Sequence, residues 1–349
     1  MQNVKHQMSR LSAVTVFMVT FLYTVMECNA QSEPQRTLLA LSKANHMLSV
    51  VDPVSLKVIA RIPVGEDPHE LVASTDGKTA YVCIYGGGSL HEINVIDLVA
   101  QKPLINIDTR PLFGPHDIAF VNGKAWFTAE GSKSVARYDP VTGKIDWIMG
   151  TGQDRTHMIH VTDGGKRIYT SNVSSGTVSI LVDTLIPPGR MAPPGVKARE
   201  DWIQTVIPVG RGSEGFDVSP NGAELWTAAS EDGSIYIIDL AAKKLSAKLD
   251  AKVNGANRLK FTPDGKQVFI SSLQSGELTI YDALSHKEVK RLKLGKGAAG
   301  ILMDAEGARA FVACSADNYV AVIDLKTLEV TSHLDVGGVP DGLAWAVRK

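Results

Sequence analysis

Cysteine is scarce in this chain, with three among 349 residues. Cys83 and Cys314 fall in predicted strands of different repeats at slightly different registers, which rarely meets disulfide geometry, so both are expected as buried free thiols. An excess of charge of one sign is also missing: 36 Lys+Arg stand against 37 Asp+Glu. That balance, and the lack of any basic amphipathic stripe, excludes a polyanion-binding surface, and no nucleic-acid partner is expected. No phosphate-binding glycine loop, Gly-x-Ser-x-Gly elbow or zinc-protease helix motif occurs, which removes the commonest signatures of nucleotide and hydrolase chemistry. The longest apolar run is confined to Leu11–Met26. With Lys5, His6 and Arg10 before it and Cys28-Asn29-Ala30 after it, the run reads as a secretory signal ending at Ala30. It is short for a membrane span, and Glu27 spoils Cys28 as a lipidation site. The mature chain is therefore expected in the periplasm or outside the cell, as a monomer without a stable membrane span.

What the sequence has in abundance is repetition. The stretch GEDPHELVASTDGKTAYV from Gly65 returns as GPHDIAFVNGKAWF from Gly114, THMIHVTDGGKRIYT from Thr156, SEGFDVSPNGAELWT from Ser213, ANRLKFTPDGKQVFI from Ala256 and AAGILMDAEGARAFV from Ala298. Each copy reads as turn, strand, tight turn, strand, with Asp-Gly, Asn-Gly or Gly-Gly at most of the hairpins. A third strand ends in an apolar or aromatic residue and then Asp, at positions 52, 97, 139, 183, 239, 282 and 324. Seven units of about 42–45 residues follow from these spacings, with one of 56. The second unit is expected to supply HELVAS, TAYVCIY, EINVIDL and PLINIDT as its four strands.

A lone four-stranded sheet cannot bury both faces, whereas seven around an axis can. The expected fold is an all-β, seven-bladed β-propeller with four-stranded antiparallel blades over residues 31–349. The N-terminal unit lacks its first strand, and GVPDGLAWAV from Gly338 supplies one. The C-terminal strand is therefore expected innermost in the first blade, closing the ring. The long spacing holds a Pro/Gly-rich insertion at 184–201, read as a stiff non-helical loop between the third and fourth strands of blade 4.

These units resemble the YVTN family of β-propeller repeats, with the pattern Gly, Pro, small inner strand, Asp-Gly-Lys, aromatic strand, Val-Ile-Asp, and with Tyr169-Thr170-Ser171-Asn172 near the name-giving tetrapeptide. The resemblance runs from about Thr37 to Val347. It implies a ligand- or partner-binding propeller, and related seven-bladed folds include lactonases and lactonising enzymes. No Cys-x-x-Cys-His attachment motif and no partner domain are present, so a haem-bearing relative is not expected.

Aligning the repeats places one residue per blade at the start of each inner strand: Asp341, His69, His116, His157, Glu214, Asn257 and Ala299, for blades 1 to 7. All are expected to share the mouth of the central channel. Three neutral histidines in register, or two with Glu214, suit a divalent metal ion; the expected metal set is His69, His116, His157 and Glu214. Arg110, Arg155 and Arg211, in loops entering the mouth, suit an anion. One residue further on come Glu70, Asp117 and Arg258, able to pair or to face a ligand. Two beyond those, His160, Asp217 and Lys260 are expected to form an interblade network. The loop Tyr85–His91, YGGGSLH, allows close backbone approach to a ligand or a mobile hairpin. The leading reading is a protein that binds a small anionic or metal-bearing ligand, or a partner protein, at this mouth. A lactonase-like hydrolase or lactonising isomerase using the same residues, with a mouth His or Glu214 as general base, and an interaction scaffold are the alternatives.

Overall fold

The structure is a computed structural model that describes residues 36–349; the expected leader and its cleavage site lie outside the described residues. Seven sheets carry the chain. Blade 2 begins with Pro68–Ala73, Thr79–Ile84 and Glu92–Asp97, and every later blade repeats this antiparallel meander. Pro340–Val347 pairs antiparallel with Arg36–Ser42, ahead of Met47–Asp52 and Lys57–Pro63, so the C-terminal strand is the innermost strand of blade 1. Among the described residues, no helix is long and apolar enough to cross a membrane.

The recurring Asp has a local reason. In six blades it caps the turn between the third and fourth strands: Asp52 Oδ1 accepts from Val54 N–H at 3.0 Å, Asp97 Oδ1 from Val99 at 2.9 Å and Asp324 Oδ1 from Thr327 at 2.8 Å, with Asp139, Asp239 and Asp282 bonded likewise. Such side-chain turns let the strand end without orphaned donors. Blade 4 is the exception. There Asp183 lies inside a strand, opposite Trp202. The insertion is not a loop throughout: Thr177–Ile186 and Arg199–Pro208 pair over ten residues each, so its ends prolong the outer hairpin and only residues 187–198 are loop. Blade 2 departs in the opposite sense. The expected strand PLINIDT is two short bridges, Lys102–Pro103 and Ile107–Asp108, because Pro103 lacks the N–H that an edge ladder needs.

Among the described residues the buried apolar side chains form seven clusters, and each spans two neighbouring sheets. Leu39, Leu48 and Val50 of blade 1 meet Leu71, Val82 and Ile96 of blade 2; Phe311 and Val322 of blade 7 meet Leu38, Val51 and the half-buried Trp345 of blade 1. The core is thus interblade, and it closes on itself. Cys83 and Cys314 are buried free thiols in two different clusters.

Near the axis, glycine governs how closely inner strands approach. A Cβ at Gly300 would sit 2.2 Å from Asp341 O, one at Gly342 2.3 Å from His69 O, and one at Gly215 2.5 Å from Asn257 O. All three are backbone contacts that cannot yield without moving a strand. Gly300→Ala is expected to cost about 1–3 kcal/mol from overpacking, visible as a lower urea midpoint, whereas Gly123→Ala, with open space around it, tests only the strain of its positive φ. Equal midpoints for Gly300→Ala and wild type would contradict the close approach.

Candidate functional site: the channel mouth

In blades 3, 4 and 6 a hydroxyl on the second strand, and in blade 7 one just after it, holds the first strand of the next blade. Thr128 Oγ1 donates to His157 O at 2.6 Å, Ser171 Oγ to Glu214 O at 2.5 Å, Ser271 Oγ to Ala299 O at 2.7 Å and Ser315 Oγ to Pro340 O at 2.6 Å. Buried hydroxyls therefore hold the carbonyls at or beside the ring positions, and the side chains there point to a common centre. All seven ring residues, Asp341, His69, His116, His157, Glu214, Asn257 and Ala299, line one cavity of about 290 Å³.

The three histidines stack side by side, with ring centroids 4.9 Å apart for His69–His116 and 3.7 Å for His116–His157. His69 Nδ1 lies 3.1 Å from Asp67 O, and its Nε2 lies 2.8 Å from Lys43 Nζ, which can only donate; His69 is therefore neutral, with its proton on Nδ1. Burial also pulls its pKa down, against Asp341. His116 is 2% exposed. Burial, reinforced by His157 and His69, takes its pKa well below the usual imidazole range, and its Nδ1 has no hydrogen-bond partner. His157 Nδ1 pairs with Glu130 Oε2 at 2.7 Å, while Glu130 Oε1 accepts from Tyr85 OH at 2.8 Å and Arg155 Nε at 2.7 Å. Burial would raise the Glu130 carboxyl, but the bonds from His157 and Arg155 outweigh it and hold it at about 2.

Among the described residues, one group places three metal-ligating atoms within 4.8 Å of one another: His116, Glu130 and His157. This group shares His116 and His157 with the expected metal set and has Glu130 where that set had His69 and Glu214. His69 has both ring nitrogens engaged, and Glu214 is taken by Asn257 Nδ2 at 2.5 Å, with Arg155 at 3.8 Å and Arg258 at 4.0 Å. Of the three loop arginines, Arg155 alone reaches the cavity. Arg110 turns outward to chelate Asp108, and Arg211 lies 3.4 Å from Glu231; both are largely exposed.

Glu130, Lys43 and Tyr85 escaped the ring alignment, yet a readable signal existed. Each directly follows the second strand of its blade, as do Leu273 and Ser315, and four of these five line the same cavity, with Glu130 behind His157. In these five blades the position after the second strand lies at the mouth or just behind it.

Beneath the mouth, Arg258 of blade 6 reaches across the channel to Glu70 of blade 2, with Nε 3.0 Å from Oε1. Burial pushes Glu70 up to about 7 despite Arg258, with Asp117 and Asp341 adding to the rise; Arg258 remains charged, since Glu70, Asp341 and Glu214 outweigh its burial. Deeper still lies the interblade network. Asp217 Oδ1 is 3.6 Å from Lys260 Nζ and its Oδ2 accepts from Phe261 N–H at 2.9 Å, while Asp117 Oδ2 accepts from Ile159 N–H at 2.7 Å. In the YGGGSLH loop Gly88 serves packing: it lies against Gly114 and Gly131 of blade 3, where a Cβ would meet Gly88 atoms at 2.8 and 2.4 Å, whereas Gly87 faces open space.

No curated protein matches the chain. Among solved structures, a functionally unknown protein from Desulfotomaculum acetoxidans is 13% identical, with a TM-score of 0.71 over 90% of this chain and 99% of that one. Hydrazine synthase from Kuenenia stuttgartiensis is 18% identical, with a TM-score of 0.64 over 79% and 89%. The dihydro-heme d1 dehydrogenase NirN is 14% identical, with a TM-score of 0.60 over 88% and 74%. At these identities the likeness is one of fold, as is the resemblance to YVTN repeats. The profile of the Cytochrome D1 heme domain matches residues 91–303, more than half of the chain. That overturns the expectation that no haem-protein relative would be found, which rested on Cys-x-x-Cys-His; this motif reports covalent attachment only, and haem iron is also held by side chains without it. The chain belongs to the Cytochrome D1 heme domain family.

Proposed function

We propose that this protein is an exported β-propeller that binds a small anionic ligand in the mouth of its channel. Export rests on the leader pattern alone. The observation that carries the binding reading is the convergence of all seven ring positions on one cavity whose lining includes Lys43, Arg155 and Arg258. The same lining holds two buried polar atoms without partners, His116 Nδ1 and Asn257 Oδ1. Buried orphan polar groups are costly, and a ligand offering both a donor and negative charge would satisfy them.

The family description invites a haem, and the walls do not suit one. Of the fourteen lining residues ten are charged or polar, and Tyr85, Leu273, Ala299 and Val339 are the remainder. A macrocycle enclosed here would lack apolar faces to lie against, and the stacked imidazoles leave no slot between them. The cavity suits a compact polar ligand.

Titration calorimetry of chelator-treated protein with inorganic phosphate and with oxalate tests the reading. One-site binding is expected for at least one of them, weakened about tenfold or more by Lys43→Met, which removes a mouth cation together with its contacts to Asp67, His69 and Asp341. Failure of both anions to bind, or identical binding by Lys43→Met, would overturn it.

A further inference from the structure

The mouth contains more than an anion pocket. We propose that His116, His157 and Glu130 form a mononuclear transition-metal centre at the floor of the cavity, and that the anionic ligand completes its coordination. The inference rests on the mouth being a binding site and adds to it the group that does the binding.

Three independent features support it. The ligating atoms lie within 4.8 Å of one another, a separation that small side-chain rotations close to the spacing around an ion. All three side chains are buried, so their positions are set by packing. His116 also presents a nitrogen with no partner inside the protein, although it is almost wholly buried. A structural histidine at that depth ordinarily satisfies both nitrogens. The surrounding groups are placed as a metal site requires. Arg155 and Tyr85 both donate to Glu130 Oε1 and so fix the carboxylate, leaving Oε2 turned to His157. An ion seated there replaces the proton shared by His157 Nδ1 and Glu130 Oε2, and that proton leaves to solvent. Two imidazoles and one carboxylate occupy three positions of a four- to six-coordinate ion. The remaining positions face a cavity already lined by Lys43 and Arg155, where an anion binds the metal and the cations together. Nitrogen-rich donors of this kind select zinc, iron, cobalt, nickel or copper over magnesium and calcium.

The test uses the chain lacking residues 1–30, stripped with chelator and titrated with Co²⁺ and Cu²⁺. One equivalent of Co²⁺ should give a visible d–d absorption, and the Cu²⁺ spin-resonance spectrum should carry nitrogen hyperfine structure, both in the unaltered protein. His116→Asn should abolish stoichiometric Co²⁺ binding and Glu130→Gln should weaken it at least tenfold, while His69→Gln leaves it within threefold of wild type. If the unaltered protein binds no Co²⁺ or Cu²⁺, yet phosphate or oxalate still binds in a Lys43-dependent way, the metal centre is refuted and the anion pocket stands. If neither metal nor anion binds, both readings fall. Equal loss with His69→Gln would move the centre to another set of ligands and overturn this one.

Discussion

Deletion of Pro340–Val347 is expected to abolish cooperative folding at ordinary temperatures. This strand pairs with Arg36–Ser42 along its length and is the innermost strand of blade 1. Its removal strips Ala344 and Ala346 from the cluster between blades 1 and 2, and Leu343 and Trp345 from that between blades 7 and 1. Burial is worth about 25 cal/mol per Å² of apolar surface, and two of the seven interfaces lose it together. Trp345 also donates from Nε1 to Met303 O at 2.8 Å and lies under the Arg36 guanidinium at 4.4 Å. The single change Trp345→Ala, half-buried as it is, should cost about 3 kcal/mol. Urea denaturation followed by circular dichroism measures both. A truncated protein with a midpoint near that of the full chain would refute closure by this strand. The same strand carries Asp341 into the mouth, so truncation should also eliminate anion binding.

Arg258→Met should be the most damaging single substitution in the channel, at about 3–5 kcal/mol near neutral pH, because it leaves the buried Glu70 carboxylate without its counter-charge. The loss should depend on pH with a definite sign. In the intact protein the Glu70 carboxyl titrates at about 7, above its ordinary value of 4.5. Folding therefore favours its neutral form, and this contribution is full below about pH 4.5 and is lost as pH rises through 7. Without Arg258 burial acts unopposed and the carboxyl rises further. The variant should be closest to wild type near pH 5 and should fall behind increasingly toward pH 8. Adding Glu70→Gln should flatten that dependence, and a Glu70→Leu/Arg258→Met double variant should recover much of the stability. A constant deficit from pH 5 to 8 would show that the substitution acts through packing alone.

Arg258 also lies 4.0 Å from Glu214, which in turn holds Asn257. The channel pair thus supports the mouth from beneath, and the pH at which Glu70 changes charge is one at which the mouth's own geometry should be sensitive.

The sequence by itself determined the architecture. A recurring apolar-Asp signal in seven units and a first unit short of one strand dictate seven sheets and the strand that closes them, because hydrophobic faces at a regular period have one economical way to be buried. It also determined which seven residues meet at the mouth, since in a propeller equal register means equal radius. The tertiary structure decided what those residues do once there. His69 and His116 occupy the same repeat position, yet one is saturated by Asp67 and Lys43 and the other retains a free nitrogen. The partners that make this difference lie in turns and neighbouring blades, where repeat register gives no distances. Arg110, Arg155 and Arg211 likewise occupy equivalent loops, and only Arg155 finds an acceptor facing the axis, in Glu130. Long side chains on loops follow the nearest carboxylate, and which carboxylate is nearest is settled by packing around the ring.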